Sequence, residues 1–309
     1  MQALEIARSW YENILQPRLA EEFPAERSRI AVAMAGRGSE CFGFDDDISR
    51  DHDHIIGVML LLTEDDERKF GFPLERFYRR MRKEFPPATA VSAASRCGDL
   101  EHGVTIIGDF YRRHLGITAA PQSLEQWLYI PEYALAEAVN GEVFCDELGE
   151  FTRIRHSLLH DMPEDVRKKK LAARAAVMAQ SGQYNFMRCI KHGEPAAAAL
   201  ALGEFVRTAI SMIFLLNKRY APYYKWSFRA MRQLPKLSEQ ADSLTALLLN
   251  TTAPENQAQN IEAIAGAIIA ELQRQNLTDS ASDYLEDHAF SIMQTIRDRK
   301  LRTLHVMEG

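Results

Sequence analysis

The sequence predicts an N-terminal α/β domain, to about residue 155, followed by a C-terminal bundle of helices. Three observations carry this. RIAVAMAG, HDHIIGVMLLL and GVTIIGD read as strands, and all lie in the first 110 residues. Composition shifts near residue 160, after MPEDV. Beyond that point apolar residues recur at spacings of three and four, as one face of a buried helix requires.

Taken in order, Leu4 to about Glu22 has helical periodicity, with Ile6, Trp10, Ile14 and Leu15 on one side, and Pro24 stops it. RIAVAMAG is a short strand ending at glycine. His52–Leu62 begins polar and becomes continuously apolar, as a central strand covered on both faces does. A charged helix runs from Glu64 to about Glu84, and Gly103–Asp109 is a third strand. A helix and the tight apolar segment SLEQWLYIP follow. GEVFCDELGEFTRIR reads as a β-hairpin, or as a strand with a turn around Asp146–Gly149. Helices are then expected over 164–180, 194–219, 224–232, 238–249, 255–275 and 280–302.

Bulk properties bound the function. The 309 residues carry a net charge of -6, with 46% hydrophobic and 26% charged residues, ordinary for a chain with a proper core. The isoelectric point of about 5.9 argues against a large nucleic-acid surface. Cys41, Cys97, Cys145 and Cys189 are scattered and read as reduced thiols in a cytoplasmic protein. The N-terminus lacks the pattern of a signal peptide. The most apolar stretch, from Ala196, is broken by Glu204 and Arg207 and reads as a buried helix, so no membrane partner is expected.

The densest chemistry is GRGSECFGFDDDISRDHDHIIGV, where Asp45, Asp46, Asp47, Asp51 and Asp53 crowd with His52 and His54. A calcium loop starting at Asp45 needs glycine at its sixth place and glutamate at its twelfth, which hold Arg50 and Ile56. A His-Asp phosphohydrolase would use His52-Asp53 and His160-Asp161, but such pairs belong on helices. A third reading uses strand geometry. Asp51 and Asp53, two apart, face one side and repel each other unless they share a divalent cation. Oxygen ligands of this kind suit magnesium or manganese. Upstream, Gly38-Ser39 can present N–H groups and a hydroxyl to phosphate. A phosphate cradle before a carboxylate pair is the equipment of phosphoryl or nucleotidyl transfer.

Gly38-Ser39 followed by Asp51-x-Asp53 on the next strand resembles the signature of the polymerase-β-like nucleotidyltransferase superfamily. Within it, GSECFGFDDDISRDHD, GEVFCDELGEFTRIR, MPEDVRKKKLA and RYAPYYKW resemble the DUF4037 group. The resemblance implies an α+β fold: a small mixed nucleotidyltransferase sheet with helices in a catalytic domain over 1–158, including the N-terminal helix, then an all-α helical bundle domain over 159–309. It implies metal-dependent transfer of an NMP from an NTP, with ATP expected, to an acceptor hydroxyl it does not identify. A small molecule, a protein side chain or an RNA end would each serve, the nucleic acid being the less favoured.

On this reading Asp51 and Asp53 are catalytic and hold Mg2+ or Mn2+, and Gly38 and Ser39 hold the β/γ-phosphates. Asp109 is the candidate third carboxylate or base, with a helix N-cap as its structural alternative; Glu101 and Asp146 are further candidates. His52 faces away from the aspartates and is read as structural. Asp45 and Asp46 read as a solvated turn or as support for the metal. In KRYAPYYKW, Lys225 is assigned to the triphosphate and Tyr220 to the base or sugar, against the alternative of a basic helix end. Arg188 is a further pocket candidate. The nucleotide is expected in the cleft between the two domains. The run VRKKKLAAR reads as a solvated charged face, or as a nucleic-acid footprint. Trp10 and Trp127 read as core. The rivals of a different class are a non-catalytic nucleotide-binding protein and the His-Asp phosphohydrolase.

Overall fold

The computed structural model describes residues 2–46, 57–83, 102–249 and 253–309. The chain divides into two compact units: residues 1–121 with 134–161, and residues 122–133 with 162–309.

The first unit is built on a four-stranded mixed sheet of β1 (Ala31–Met34), β2 (Met59–Leu62), β3 (Gly103–Ile106) and β4 (Glu142–Cys145), in the order β3-β2-β1-β4. β1 runs antiparallel to β2 and β4, and β2 parallel to β3. β1 and β2 are buried at every position, which explains their unbroken apolar sequence. Val32, Met34, Leu60 and Leu62 share one core with Trp10, Leu15, Phe77 and Tyr78. The helical residues of that core lie on α1 (Ala3–Trp10), on the π-helical turn Tyr11–Leu15 that leads into α2 (Gln16–Glu22), and on α5 (Phe72–Arg82). A four-residue α3 (Ser39–Phe42) follows β1.

Local chemistry sets the boundaries. Thr63 caps α4 (Glu64–Asp66): its Oγ accepts the Asp66 N–H at 3.2 Å and donates to the Asp66 carboxylate at 2.7 Å. A π-helical turn, Glu67–Gly71, then joins α4 to α5, so the charged segment is helical as expected. One expectation is corrected: β3 ends at Ile106, and residues 107–109 open α6 (Ile107–Leu115) instead of finishing the strand. Of the two readings of the segment from Glu142, the strand with a turn at Asp146–Gly149 is the one observed, not the hairpin. The Asp146 carboxylate accepts the N–H groups of Gly149 (2.9 Å) and Thr152 (2.7 Å), and Gly149 takes φ 75°, which starts α9 (Glu150–His160).

In the second unit, α7 (Leu124–Tyr129) precedes α8 (Glu132–Val139), within which the two units divide. The bundle is α10 (Glu164–Met178), extended by the π-helical Ala179–Phe186 into α11 (Met187–Lys191), then α12 (Pro195–Leu216), α13 (Tyr224–Met231), α14 (Gln240–Leu249) and α15 (Pro254–Arg274). The helix expected over 280–302 is two, α16 (Leu285–Gln294) and α17 (Arg299–Thr303). The Asp165 carboxylate accepts the N–H groups of Arg297 and Asp298, and Asp298 caps α17, which breaks the run. By length and composition α12 would span a bilayer, but 61% of its most apolar window is buried in the fold, with Phe205, Met212, Ile213 and Leu216 inaccessible. It is the core helix the sequence indicated.

Candidate active site

The sheet has two ends, and the register says which residues share each. Ala33 pairs with Met59 and Met34 with Glu142, so the end of β1 lies beside the starts of β2 and β4. Met59 also pairs with Gly103, which brings the start of β3 to that same end. Gly36, Gly38 and Ser39 follow β1 there. Gly57 and Val58 precede β2, and the Gly103 N–H donates to the Val58 carbonyl at 3.0 Å.

The Gly-Ser turn is held in a specific shape. Gly36 and Gly38 take φ 119° and 103°, a region open to glycine. A Cβ on Gly38 would come within 2.2 Å of the Glu40 carboxylate. The Gly36 N–H donates to Asn140 Oδ1 at 2.8 Å, and Asn140 Nδ2 donates back to the Gly36 carbonyl. Arg155, half-buried on α9, donates to the carbonyls of Asn140 and of Gly141 (2.9 Å); desolvation lowers its pKa below the usual arginine value. Gly141 has φ 66°, and a Cβ there would lie 2.0 Å from the Met34 carbonyl. Asn140, Gly141 and Arg155 therefore fix where the turn after β1 sits. The sequence reading missed them; the Asn-Gly pair before β4 was the available signal.

Ser39 is buried, and its carbonyl accepts the Phe44 N–H at 2.8 Å. The chain then reaches Asp45, which is buried and not solvated. One of its carboxylate oxygens accepts the Ala3 N–H at 3.0 Å, at the start of α1, where negative charge is favoured. The other, Oδ1, is buried without a hydrogen-bond partner among the described residues. Asp47, Ser49, Arg50, Asp51, His52, Asp53, Cys97 and Glu101 lie outside the described residues.

Asp109 is not brought to this end. Leu62 pairs with Ile106, so α6 starts at the opposite end of the sheet, about 10 Å away over four strand residues. Asp109 sits in the first turn of α6, half-exposed and ion-paired with Arg112. It lines a cavity of about 840 Å³ with Glu75, Arg79, His102 and Arg113. There Glu75 holds Arg79 at 2.7 Å and accepts the Val104 N–H at 3.1 Å. Burial, then Arg82, lowers the His102 pKa. Asp146 is likewise at the far end, as the cap of α9.

The second-unit candidates separate. Lys225 is exposed, its ammonium 4.9 Å from the Trp226 ring centre. Arg188 is exposed and lies over Tyr184 at 5.1 Å. Tyr220 is half-buried. None of the three lines a described cavity; Tyr223 and Tyr224 of the same segment do.

The basic run from Arg167 is neither a solvated face nor a footprint. Arg167, Lys169 and Lys170 are buried. Lys169 Nζ donates to the carbonyls of His305 (3.0 Å), Val306 (3.2 Å) and Glu308, and Lys170 Nζ to Leu128 O at 2.7 Å. Arg167 pairs with Glu164 at 2.6 Å. Burial pulls both lysines down to about 8. A run read as charge alone gave no sign that its partners are backbone carbonyls distant in sequence.

His160 and Asp161, the described half of the phosphohydrolase pair, are exposed at the end of α9. Among the described residues no three His, Cys, Asp or Glu side chains gather as a metal site. Cys41, Cys145 and Cys189 are in no disulfide.

Residues 127–227 match the family model of DUF4037, a domain of unknown function. That match covers neither the Gly-Ser turn nor the acidic cluster. No curated protein matches the chain. Among solved structures, a nucleotidyltransferase-like protein from Exiguobacterium sibiricum 255-15 is similar over 94% of this chain and 81% of its own, with 12% identity and a TM-score of 0.39.

Proposed function

We propose that the chain is a metal-dependent nucleotidyltransferase that moves an NMP from an NTP to an acceptor hydroxyl. The observation that carries this reading is the shared sheet end. Antiparallel pairing of β1 and β2 puts the Gly36–Ser39 turn beside the start of β2, the strand into which the Asp51-x-Asp53 segment leads. A phosphate-holding turn and a carboxylate pair need that proximity.

Asp51 and Asp53 would hold magnesium or manganese, which would neutralise charge on the phosphates when bound. The fit rests on hard oxygen donors, with the orphaned Asp45 Oδ1 a further carboxylate oxygen in the adjoining loop. The turn's N–H groups and the Ser39 hydroxyl would orient the β- and γ-phosphates. The acceptor oxygen would bond to the α-phosphorus as the bond to the bridging oxygen breaks. Pyrophosphate then leaves, and the hydroxyl proton passes to a carboxylate. For that role the sheet disfavours Asp109, because α6 starts at the other end. Glu101 directly precedes His102, which adjoins the end of β3 that shares the sheet end of the Gly36–Ser39 turn, and is the candidate this reading favours.

ATP labelled on the α- or γ-phosphate distinguishes the reading from phosphoryl transfer. With magnesium and a mixture of candidate acceptors, the α label should enter product and the γ label appear in pyrophosphate. Entry of the γ label into the acceptor, or its release as inorganic phosphate, with none of the α label transferred, would exclude nucleotidyl transfer. Asp109→Asn should retain most of the transfer and Glu101→Gln should lose it.

A further inference from the structure

The helical unit contains a second cavity, of about 680 Å³. That lies within the range of small-molecule sites, roughly 300–1,000 Å³. Its wall is more apolar than polar, and its charged side chains are paired with one another. Arg174 donates from Nε to Ser211 Oγ at 2.8 Å, from Nη2 to Glu132 at 2.9 Å, and from Nη1 to the Gly309 carbonyl. Ser211 Oγ also donates to Glu132 Oε2 at 2.8 Å. Glu132 is 8% exposed, so this is a built, buried network. The other arginine of the wall, Arg207, pairs with Glu204 at 2.7 Å. Two arginines and two glutamates thus cancel, and each arginine is already engaged.

The rim is aromatic. Tyr223 and Tyr224 stand with ring centres 4.3 Å apart, and Tyr133 meets Tyr223 edge-on at 6.4 Å. Tyr133, Tyr223 and Tyr224 are 47%, 46% and 74% exposed and stand together, an aromatic patch and not scattered single residues. The buried hydroxyls of Thr208 and Ser227 also face the wall.

We propose that this cavity binds an uncharged, hydroxylated ring compound, a saccharide or a nucleoside, stacked on the tyrosine rim with its hydroxyls on the polar groups of the wall. Rings supply flat faces for stacking. A phosphate would gain little, because Glu132 and Glu204 stand beside the two arginines and leave the wall no net positive charge to offer it. The inference concerns binding alone and does not depend on the transfer reading.

Calorimetry on the full chain with adenosine, AMP and methyl glucoside tests it. At least one of the two neutral probes should bind, and AMP should bind no more tightly than adenosine. Tyr224→Ala and Tyr133→Ala should each weaken that binding by about tenfold, the scale of one lost stacking partner. Asp51→Asn with Asp53→Asn should leave it unchanged, which separates this site from the NTP site. The proposal is overturned if neither neutral probe binds at millimolar concentration. It is equally overturned if AMP binds the Asp51→Asn, Asp53→Asn chain at least tenfold tighter than adenosine does, or if binding is indifferent to both tyrosine substitutions while the variants remain folded by circular dichroism.

Discussion

Lys170→Met probes the inward turn of the basic helix, the feature in which sequence and structure diverge most. Lys170 is 2% exposed, and its one hydrogen bond goes to the Leu128 carbonyl. Burial lowers its pKa from 10.5 to about 8, with Lys169 beside it in the same state. Below pH 8 both folded and unfolded chains hold these protons, and the folded chain bears the cost of the buried charges. Between about pH 8 and 10.5 the unfolded chain still binds protons that the folded chain has released, so stability rises with pH. At about pH 9.5 the gain is about 2 kcal/mol per lysine relative to pH 7. Lys170→Met should remove its half of that rise. At pH 7 it relieves the charge burial but strands the Leu128 carbonyl, a loss of about 1–3 kcal/mol, so the net change there is small or stabilising. Urea unfolding followed by helix circular dichroism, from pH 7 to 9.5, measures both effects. A solvated face would give stability flat with pH and no response to the substitution, and that result would refute the burial argument.

Above pH 10 the first unit should behave oppositely. Burial raises the phenols of Tyr11, Tyr78 and Tyr111, so their contribution is intact below pH 10 and is lost as the unfolded phenols ionise; a second, separately melting transition that weakens above pH 10 would register it. Gly141→Ala should cost roughly 2–4 kcal/mol, from a left-handed alanine plus the displacement of Met34 O, and should also weaken nucleotide binding by loosening the Asn140–Gly36 pair. Thermal melting and calorimetry would report the two losses together. Lys225→Ala should leave the melting temperature unchanged, since Lys225 is exposed, and should weaken NTP binding by about 1–3 kcal/mol if its ammonium meets phosphate; unchanged affinity would leave it with the Trp226 ring alone.

The elements with a strong period were legible in the sequence. β1 and β2 announced themselves as unbroken apolar runs, α12 as the most apolar long stretch and α15 as a long amphipathic repeat. What was illegible depends on pairing partners. GVTIIGD reads as strand throughout because nothing local marks the switch to α6 at Ile107, and parallel pairing with β2 then puts Asp109 at the sheet end opposite Gly38 and Ser39. Asp45 looked like solvent-facing loop because its partner, the Ala3 N–H, lies 42 residues away. The Gly-Ser turn was visible, but the Asn140–Arg155 clamp that shapes it crosses more than a hundred residues of sequence.

The central claim is that a nucleotide binds through a divalent cation at the sheet end marked by Gly38 and Ser39. Calorimetry with a non-hydrolysable ATP analogue, with and without magnesium, on the natural chain and on Asp51→Asn with Asp53→Asn, tests it most directly. The account predicts binding that requires magnesium or manganese in the natural chain and loses that requirement, with most of its affinity, in the double variant. Equal metal-dependent binding by both proteins would contradict it.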